Sequence, residues 1–354
     1  MKILHAADLH LDSPFQGQED AHYLRRQLRA VPQQLADLCR REQCHLVLLS
    51  GDLFDGPWTP ESLDALRNAL EEMAVPVFIA PGNHDFCCPT APYHTELWPE
   101  NVHIFTRPQM QAVKVPELDC VIYGAGYDAT DCPPLLEDFH AQGDARYHIG
   151  LLHGDPTQKH SPYCPVTADQ IADSNLDYLA LGHIHKWGTF RAGQTLCAWP
   201  GCPMGRGFDE TGDRGVLVVT LSAIADARFV SLSTPRFHDI SVSCGCDPVA
   251  ALNRVLPPLG NEDYYRISLT GEAEQMNLPL LCQQFSRFPH LQLRDRTQPV
   301  LDVWGRADAD SLEGVYFGLL KEAIATAEEP DREALELAAR ISRQLLEGRE
   351  VILP

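Results

Sequence analysis

Short apolar runs recur through the first two thirds of the chain, and most are closed by a carboxylate, an amide or a histidine. Residues 2–7 read as a strand that stops at Asp8, and the run 45–50 stops at Gly51-Asp52. Residues 75–80 form another strand pattern, broken by Pro81-Gly82 just before Asn83. Further strands are expected over 102–105, 120–124, 148–152 and 178–181, the last two running into His153 and Gly182-His183. Between them lie helical patterns. One covers 23–41, with Pro32 at a helix start or kink. Another covers 61–73, where Leu63, Leu66 and Leu70 fall on one face. A strand-rich tract follows, over 188–191, 195–199, 216–221 and 228–232.

Alternation of strands and helices followed by many strands predicts a layered α/β domain, sheet packed on sheet with helices outside. In open α/β sheets ligands gather beyond the carboxyl ends of strands. Asp8, Asp52, Asn83, His153 and His183 all stand at such ends. After about residue 240 the texture changes to a small α+β pattern: helices over 247–256 and 278–288, strands over 264–269 and 291–294. From residue 310 the chain reads as helical. Leu312, Val315, Tyr316, Leu319 and Ala323 share one stripe, and Ala334, Leu337, Ala338, Ile341 and Leu345 share another. The expected domains are 1–238, 239–304 and a helical segment 305–354.

Composition narrows the chemistry. The hydrophobic fraction of 44% suits a buried core, and no apolar run reaches the roughly 20 residues of a membrane span. The first residues enter a strand pattern without an apolar leader, so a cytoplasmic protein is expected. Twelve cysteines are scattered without a disulfide framework and read as reduced, buried or incidental thiols. Cys244-Gly-Cys246 is too tight for a usual zinc knuckle. The balance of 28 basic against 49 acidic residues gives a net charge of −21, which opposes nucleic-acid binding by the chain alone unless metal ions or a partner supply positive charge.

Five motifs carry the candidate chemistry: Asp8-Leu9-His10, Gly51-Asp52-Leu53-Phe54-Asp55, Gly82-Asn83-His84-Asp85, His153-Gly154 and Gly182-His183-Ile184-His185. An extended i, i+2 pair can turn both side chains to the same side, as in Asp8 with His10 and in His183 with His185. With Asp52, Asn83 and His153 they make seven oxygen and imidazole ligands, enough for two ions if one carboxylate bridges. Such donors suit Mn²⁺, Fe or Zn, without the thiolates of a structural zinc site. His84, next to a ligand, is placed to act as an acid or phosphate contact, with Asp55 to orient it. Any one of these motifs alone is commonplace; all five in order at strand ends leave little room for chance.

Taken together, the five motifs resemble the calcineurin-like metallophosphoesterase superfamily over roughly residues 1–235. That resemblance implies a four-layer β-sandwich flanked by helices, with a small α+β cap and a helical tail. It further implies that Asp8, His10, Asp52 and His185 hold one metal ion. Asp52 would bridge to a second, held also by Asn83, His153 and His183, while His84, paired with Asp55, contacts the phosphate. Gly56 stands where protein phosphatases of the superfamily carry an arginine. The stretches 5–15, 180–186 and 199–208 resemble more narrowly the YhaO-type, SbcD-like DNA repair exonucleases. This implies a Mn²⁺-dependent DNA exonuclease or endonuclease, a homodimer, and a coiled-coil ATPase partner of the SbcC or YhaN type. The two terminal helices would dock that partner or fold back on their own domain, and Arg206, in a Gly-rich loop, would touch phosphate or brace the loop. Other readings are a small-molecule phosphodiesterase or phosphatase, which the acidic charge favours, and a non-catalytic scaffold, which typically lacks some of the ligands present here.

Overall fold

The computed structural model describes residues 1–245, 247–349 and 351. It divides into two compact units, one of Met1–His238 with Glu262–Tyr264, the other of the chain from Asp239 onward apart from those three residues.

In the first unit twelve strands build two six-stranded sheets. The strands are β1 Lys2–Ala6, β2 Leu46–Leu49, β3 Val77–Ile79, β4 Val102–Ile104, β5 Gln111–Val115, β6 Cys120–Gly124, β7 Tyr147–His153, β8 Tyr178–Gly182, β9 Lys186–Ala192, β10 Thr195–Gly201, β11 Gly215–Thr220 and β12 Asp226–Ser231. The orders are β12-β11-β1-β2-β3-β4 and β5-β6-β7-β8-β10-β9. Neighbours from β1 to β4 are parallel, as are β6, β7, β8 and β10.

Side-chain alternation explains the layering. On β2, Leu46 and Leu48 join Ile3, Phe78, Ile122, Ile149 and Leu151 in a core between the sheets. Val47 and Leu49 point the other way, into a second core beneath helices α1 Ala21–Arg29, α2 Val31–Glu42 and α3 Pro60–Met73. The outer face of the second sheet is covered by α5 Ala168–Asp173 and the connections around it, while the short α4 Pro92–Thr95 belongs to the first sheet's side. Two helix-covered sheets make four layers, as expected. Where one helix was expected over 23–41 there are two, separated at Ala30, with Pro32 in the first turn of α2, where its missing N–H costs nothing.

Helix α3 shows how local signals and burial combine. Thr59 caps it by accepting the Ser62 N–H, Pro60 occupies its first position, and Leu63, Leu66 and Leu70 are buried. Each such leucine contributes about 1.5–3 kcal/mol. Leu66→Ala is the single change that would loosen this face most, at about 2–5 kcal/mol.

Apart from the first residues of two strands, the second unit holds a three-stranded sheet, β13 Phe237–Ser243, β14 Tyr264–Thr270 and β15 His290–Asp295, with α6 Pro248–Val255 and α7 Leu278–Gln284. It ends in α8 Leu312–Thr326 and α9 Asp331–Leu346. On α8 the expected apolar stripe does not face inward. Leu312, Val315 and Leu319 are 88%, 59% and 62% exposed, whereas Gly314 and Phe317 are buried. Phe317 stacks beneath the Arg343 guanidinium, 4.1 Å from its ring centroid, and Arg343 pairs with Glu313. Burying Phe317 under its cation turns the helix over. The eleven cysteines among the described residues are all free thiols, and Cys246 lies outside them.

Candidate metal centre

The motif loops follow the carboxyl ends of β1, β2, β3, β7 and β8, side by side in the two sheets. Their backbone is not the extended chain that the i, i+2 argument assumed. Asp8, His10, Asp52 and His183 have φ of 53°, 47°, 50° and 89°. The Asp8 and His10 side chains converge because left-handed residues curl the loop, not because a pleat aligns them. That conformation is costly for residues with a Cβ and persists only where the surroundings over-determine it. Here the first loop is zipped onto the second: Asp8 N–H donates to Gly51 O at 3.0 Å, His10 N–H to Asp52 O at 2.9 Å and Leu11 N–H to Leu53 O at 2.9 Å. The His183 N–H donates in turn to Asp8 Oδ1 at 3.0 Å.

All seven candidate ligands meet in this space. Ligand atoms of Asp8, His10 and His185 lie within 4.8 Å of one another, and so do those of Asp8, Asp52 and His153. Nε2 of His10 and Nε2 of His185 are 3.2 Å apart. His153 Nε2 sits 3.3 Å from Asp52 Oδ2 and 3.0 Å from Asn83 Oδ1, and its ring centroid lies 5.3 Å from that of His183. His84 stands at the rim with Nδ1 2.8 Å from Asp55 Oδ1, and its ring meets that of His10 edge-on at 4.8 Å.

Three further residues shape the site. Glu210, on the connection after β10, reaches His185 Nδ1 with Oε1 at 2.5 Å. Arg206 lies between Glu210 and Asp55. Asp85 accepts the main-chain N–H groups of Gly82, Asp52 and Leu53. Nothing in local spacing relates residue 210 to residue 185, so sequence reasoning had no route to Glu210. Asp85 stood in a motif, without a sign that its task is to hold backbone.

Electrostatics favour a cation here. Asp8 and Asp52 are buried carboxylates at 1% exposure, which is expensive without positive charge beside them. Burial opposes ionisation of Asp52, yet the neighbouring His153 and His10 imidazoles hold its carboxyl below the usual range. Burial likewise opposes a proton on His153, but Asp52 and Asp8 outweigh it and raise the imidazole to about 10. His183 goes the other way, to about 4, through burial and the charge of His153. With His185 Nδ1–H donating to Glu210, its Nε2 is a lone pair facing the Nε2 of His10, an arrangement that calls for a proton or a cation between them. Oxygen and imidazole donors without thiolate fit divalent Mn, Fe or Zn.

The chain belongs to the calcineurin-like phosphoesterase family, whose model matches residues 1–187. The family binds two divalent metal ions and hydrolyses phosphoesters. The chain is 35% identical over 260 residues to the protein named uncharacterized metallophosphoesterase YhaO of Bacillus subtilis, covering 68% of this chain and 61% of that one. It is 25% identical over 256 residues to the SbcD component of the nuclease SbcCD of the same organism, covering 60% of this chain and 64% of that one. The chain thus spans about three fifths of the length of these curated relatives. Among solved structures, TT1561 of Thermus thermophilus matches 64% of this chain and 98% of its own, with 15% identity and a TM-score of 0.40. Among the described residues no helix is long and apolar enough to cross a membrane.

Proposed function

We propose that this chain is a two-metal DNA nuclease, an exonuclease or endonuclease that cleaves phosphodiesters with Mn²⁺ and works beside an ATPase partner. Asp8, His10, Asp52 and His185 would hold one ion, and Asp52, Asn83, His153 and His183 the other. The carrying observation is the facing pair His10 and His185 over buried Asp8 and Asp52, with His84 at the open rim. When bound, such an ion pair supplies an activated water and neutralises charge on the phosphoryl oxygens. The chain's own residues do the rest. Asp55 accepts Nδ1–H of His84 and so fixes the ring. The hydrogen bond to Asp55 raises the His84 pKa against partial burial. His84 is therefore placed to hand a proton to the departing oxygen.

Similarity to a component of the nuclease SbcCD supports DNA as the substrate and an SbcC- or YhaN-like coiled-coil ATPase as the partner. The exposed apolar face of α8 and α9 supports partner docking. A groove of about 640 Å³ there is lined by Leu312, Tyr316, Leu345 and Leu346, with Glu313 and Ser342. A homodimer belongs to the same reading.

The net charge of −21 favours a second reading, a small-molecule phosphodiesterase or phosphatase. The deciding assay is degradation of linear single- and double-stranded DNA with Mn²⁺, by wild type and His84→Ala. The nuclease reading expects wild-type degradation, lost in the variant by about 10²–10⁴-fold with metal content unchanged. Hydrolysis of bis(p-nitrophenyl) phosphate without DNA cleavage, alone or with the ATPase, moves the substrate to a small molecule.

A further inference from the structure

Outside the seven candidate ligands, the pair Arg206 and Glu210 joins two separate parts of the site. Glu210 is 7% exposed, and the Arg206 side chain 22%. The loop that carries them is tight. Glu210 N–H donates to Gly207 O at 3.1 Å, and a Cβ at Gly205 would come 2.5 Å from Glu210 O. One oxygen of Glu210, Oε2, accepts the backbone N–H of Arg206 at 2.8 Å. The other, Oε1, meets both His185 Nδ1 at 2.5 Å and Arg206 Nη2 at 3.1 Å. Arg206 Nη1 reaches across 3.3 Å to Asp55 Oδ2, and the opposite oxygen of Asp55 holds His84. Arg214 supports the far side, donating to the main-chain oxygen of His185 and, at 3.0 Å, to that of Thr211.

We propose, on the two-metal reading above, that Arg206 and Glu210 are positioning residues. They form the chain His84–Asp55–Arg206–Glu210–His185, which sets the imidazole at the phosphate and a ligand of one ion against each other.

Charge excludes the obvious alternatives. The Arg206 guanidinium is shared between two carboxylates, Asp55 and Glu210, so its donors are engaged and it makes a poor receptor for a phosphate. His185, Cys202 and Glu210 also bring ligand atoms within 4.8 Å of one another, as a further cation site would. That position is already served by cations: Arg206 on Glu210, and Arg214 Nη1 3.4 Å from Cys202 Sγ. What remains is orientation. A carboxylate on the second nitrogen of a metal-bound imidazole fixes its tautomer and ring angle, and loss of such a partner typically costs 10–100-fold in metal affinity. Arg206 extends that control to the acid, because the oxygen of Asp55 it holds is not the one that holds His84.

The test is calorimetric titration of the metal-free protein with MnCl₂, alongside kcat and KM for bis(p-nitrophenyl) phosphate. The variants are Glu210→Gln, Arg206→Gln, Arg206→Lys and the double glutamine variant. The expected result is that Glu210→Gln weakens one of two Mn²⁺ ions by about 10–100-fold and leaves the other unchanged. Arg206→Gln weakens the same ion and lowers kcat with little change in KM, and the double variant is no worse than the poorer single. Arg206→Lys keeps the charge and the fold but has no fork to bridge two carboxylates, so it retains the kcat defect. Three results would overturn the proposal. The first is raised KM and weaker inhibition by inorganic phosphate in Arg206→Gln with Mn²⁺ binding intact, the mark of a phosphate clamp. The second is equal weakening of both ions in every variant, the mark of general loosening. The third is full activity in Arg206→Lys. Uptake of fewer than two ions by the wild type instead defeats the two-metal reading itself.

Discussion

Asp85 accepts the backbone N–H of Leu53 across 2.7 Å with one carboxylate oxygen and that of Gly82 across 2.8 Å with the other, so a single side chain joins two of the motif loops. Tyr93 adds its hydroxyl to the first oxygen at 2.5 Å. Replacing Asp85 by Asn turns one acceptor into a donor facing a buried N–H, at a cost of about 1–3 kcal/mol. Asp52 and Asn83 ride on the joined loops, so Asp85→Asn is expected to weaken Mn²⁺ binding as well. Urea unfolding and metal titration of the same variant check both effects, and wild-type values in both would show that the loops hold without this side chain.

Gly51 precedes Asp52 with φ of 84°, and a Cβ there would lie 2.6 Å from His153 Nδ1 and 2.8 Å from Gly82 N. Gly51→Ala therefore combines a strained backbone with a clash against a candidate ligand. The expectation is a loss of about 1–3 kcal/mol in stability together with loss of metal. Thermal unfolding with and without Mn²⁺ tests it: the variant's transition should come earlier and respond less to the ion.

His5 is fully buried between Tyr178 Oη and Ser50 Oγ, each 2.7 Å from a ring nitrogen. Burial lowers its pKa from 6.5 to about 3. Below 6.5 the unfolded chain takes up a proton that the folded chain refuses, so stability is fully present above 6.5 and lost as the pH falls toward 3. The slope is about 1.4 kcal/mol per pH unit. His5→Gln should be less stable than wild type at neutral pH through its altered hydrogen bonds, yet lose about 2 kcal/mol less on going from about pH 6.5 to about pH 5. Denaturant unfolding at both pH values measures the difference, and equal losses in the two proteins would refute the assignment.

Leu319 and Leu345 are each 62% exposed on the terminal helices. Leu319→Glu and Leu345→Glu are expected to change the stability of the isolated chain by no more than about 0.5 kcal/mol, while Phe317→Ala, at a buried ring, costs about 3–5 kcal/mol. Denaturant unfolding of the three variants separates a face kept free for a partner from one packed against the chain itself. A large loss in the leucine variants would mean the latter.

The strands β1, β2, β3, β7 and β8 were legible because each is a short β-branched or leucine-rich run ended by Gly, Pro or a polar residue. The edge strand β5 was not, since Gln111 to Val115 alternates partly exposed residues and carries no apolar run. β13 was missed for the same reason. The α8 stripe shows the limit of periodicity: it finds an apolar face but not what covers it. Burying Phe317 under Arg343 decided the rotation of that helix, and both residues lie off the expected stripe.

By itself the sequence determined which side chains can carry the chemistry, since carboxylate, amide and imidazole groups are recognisable wherever they sit, and strand ends are marked by composition. Only the tertiary structure decided how they converge. Left-handed turns at Asp8, His10, Asp52 and His183 replace the expected extended pairs, and they persist because hydrogen bonds from neighbouring loops outweigh their strain. The tie from Glu210 to His185, and through Arg206 to Asp55, links residues up to 151 positions apart. Such a contact costs nothing in local propensity and leaves no local trace; it exists only once the sheets have brought their loops to one edge.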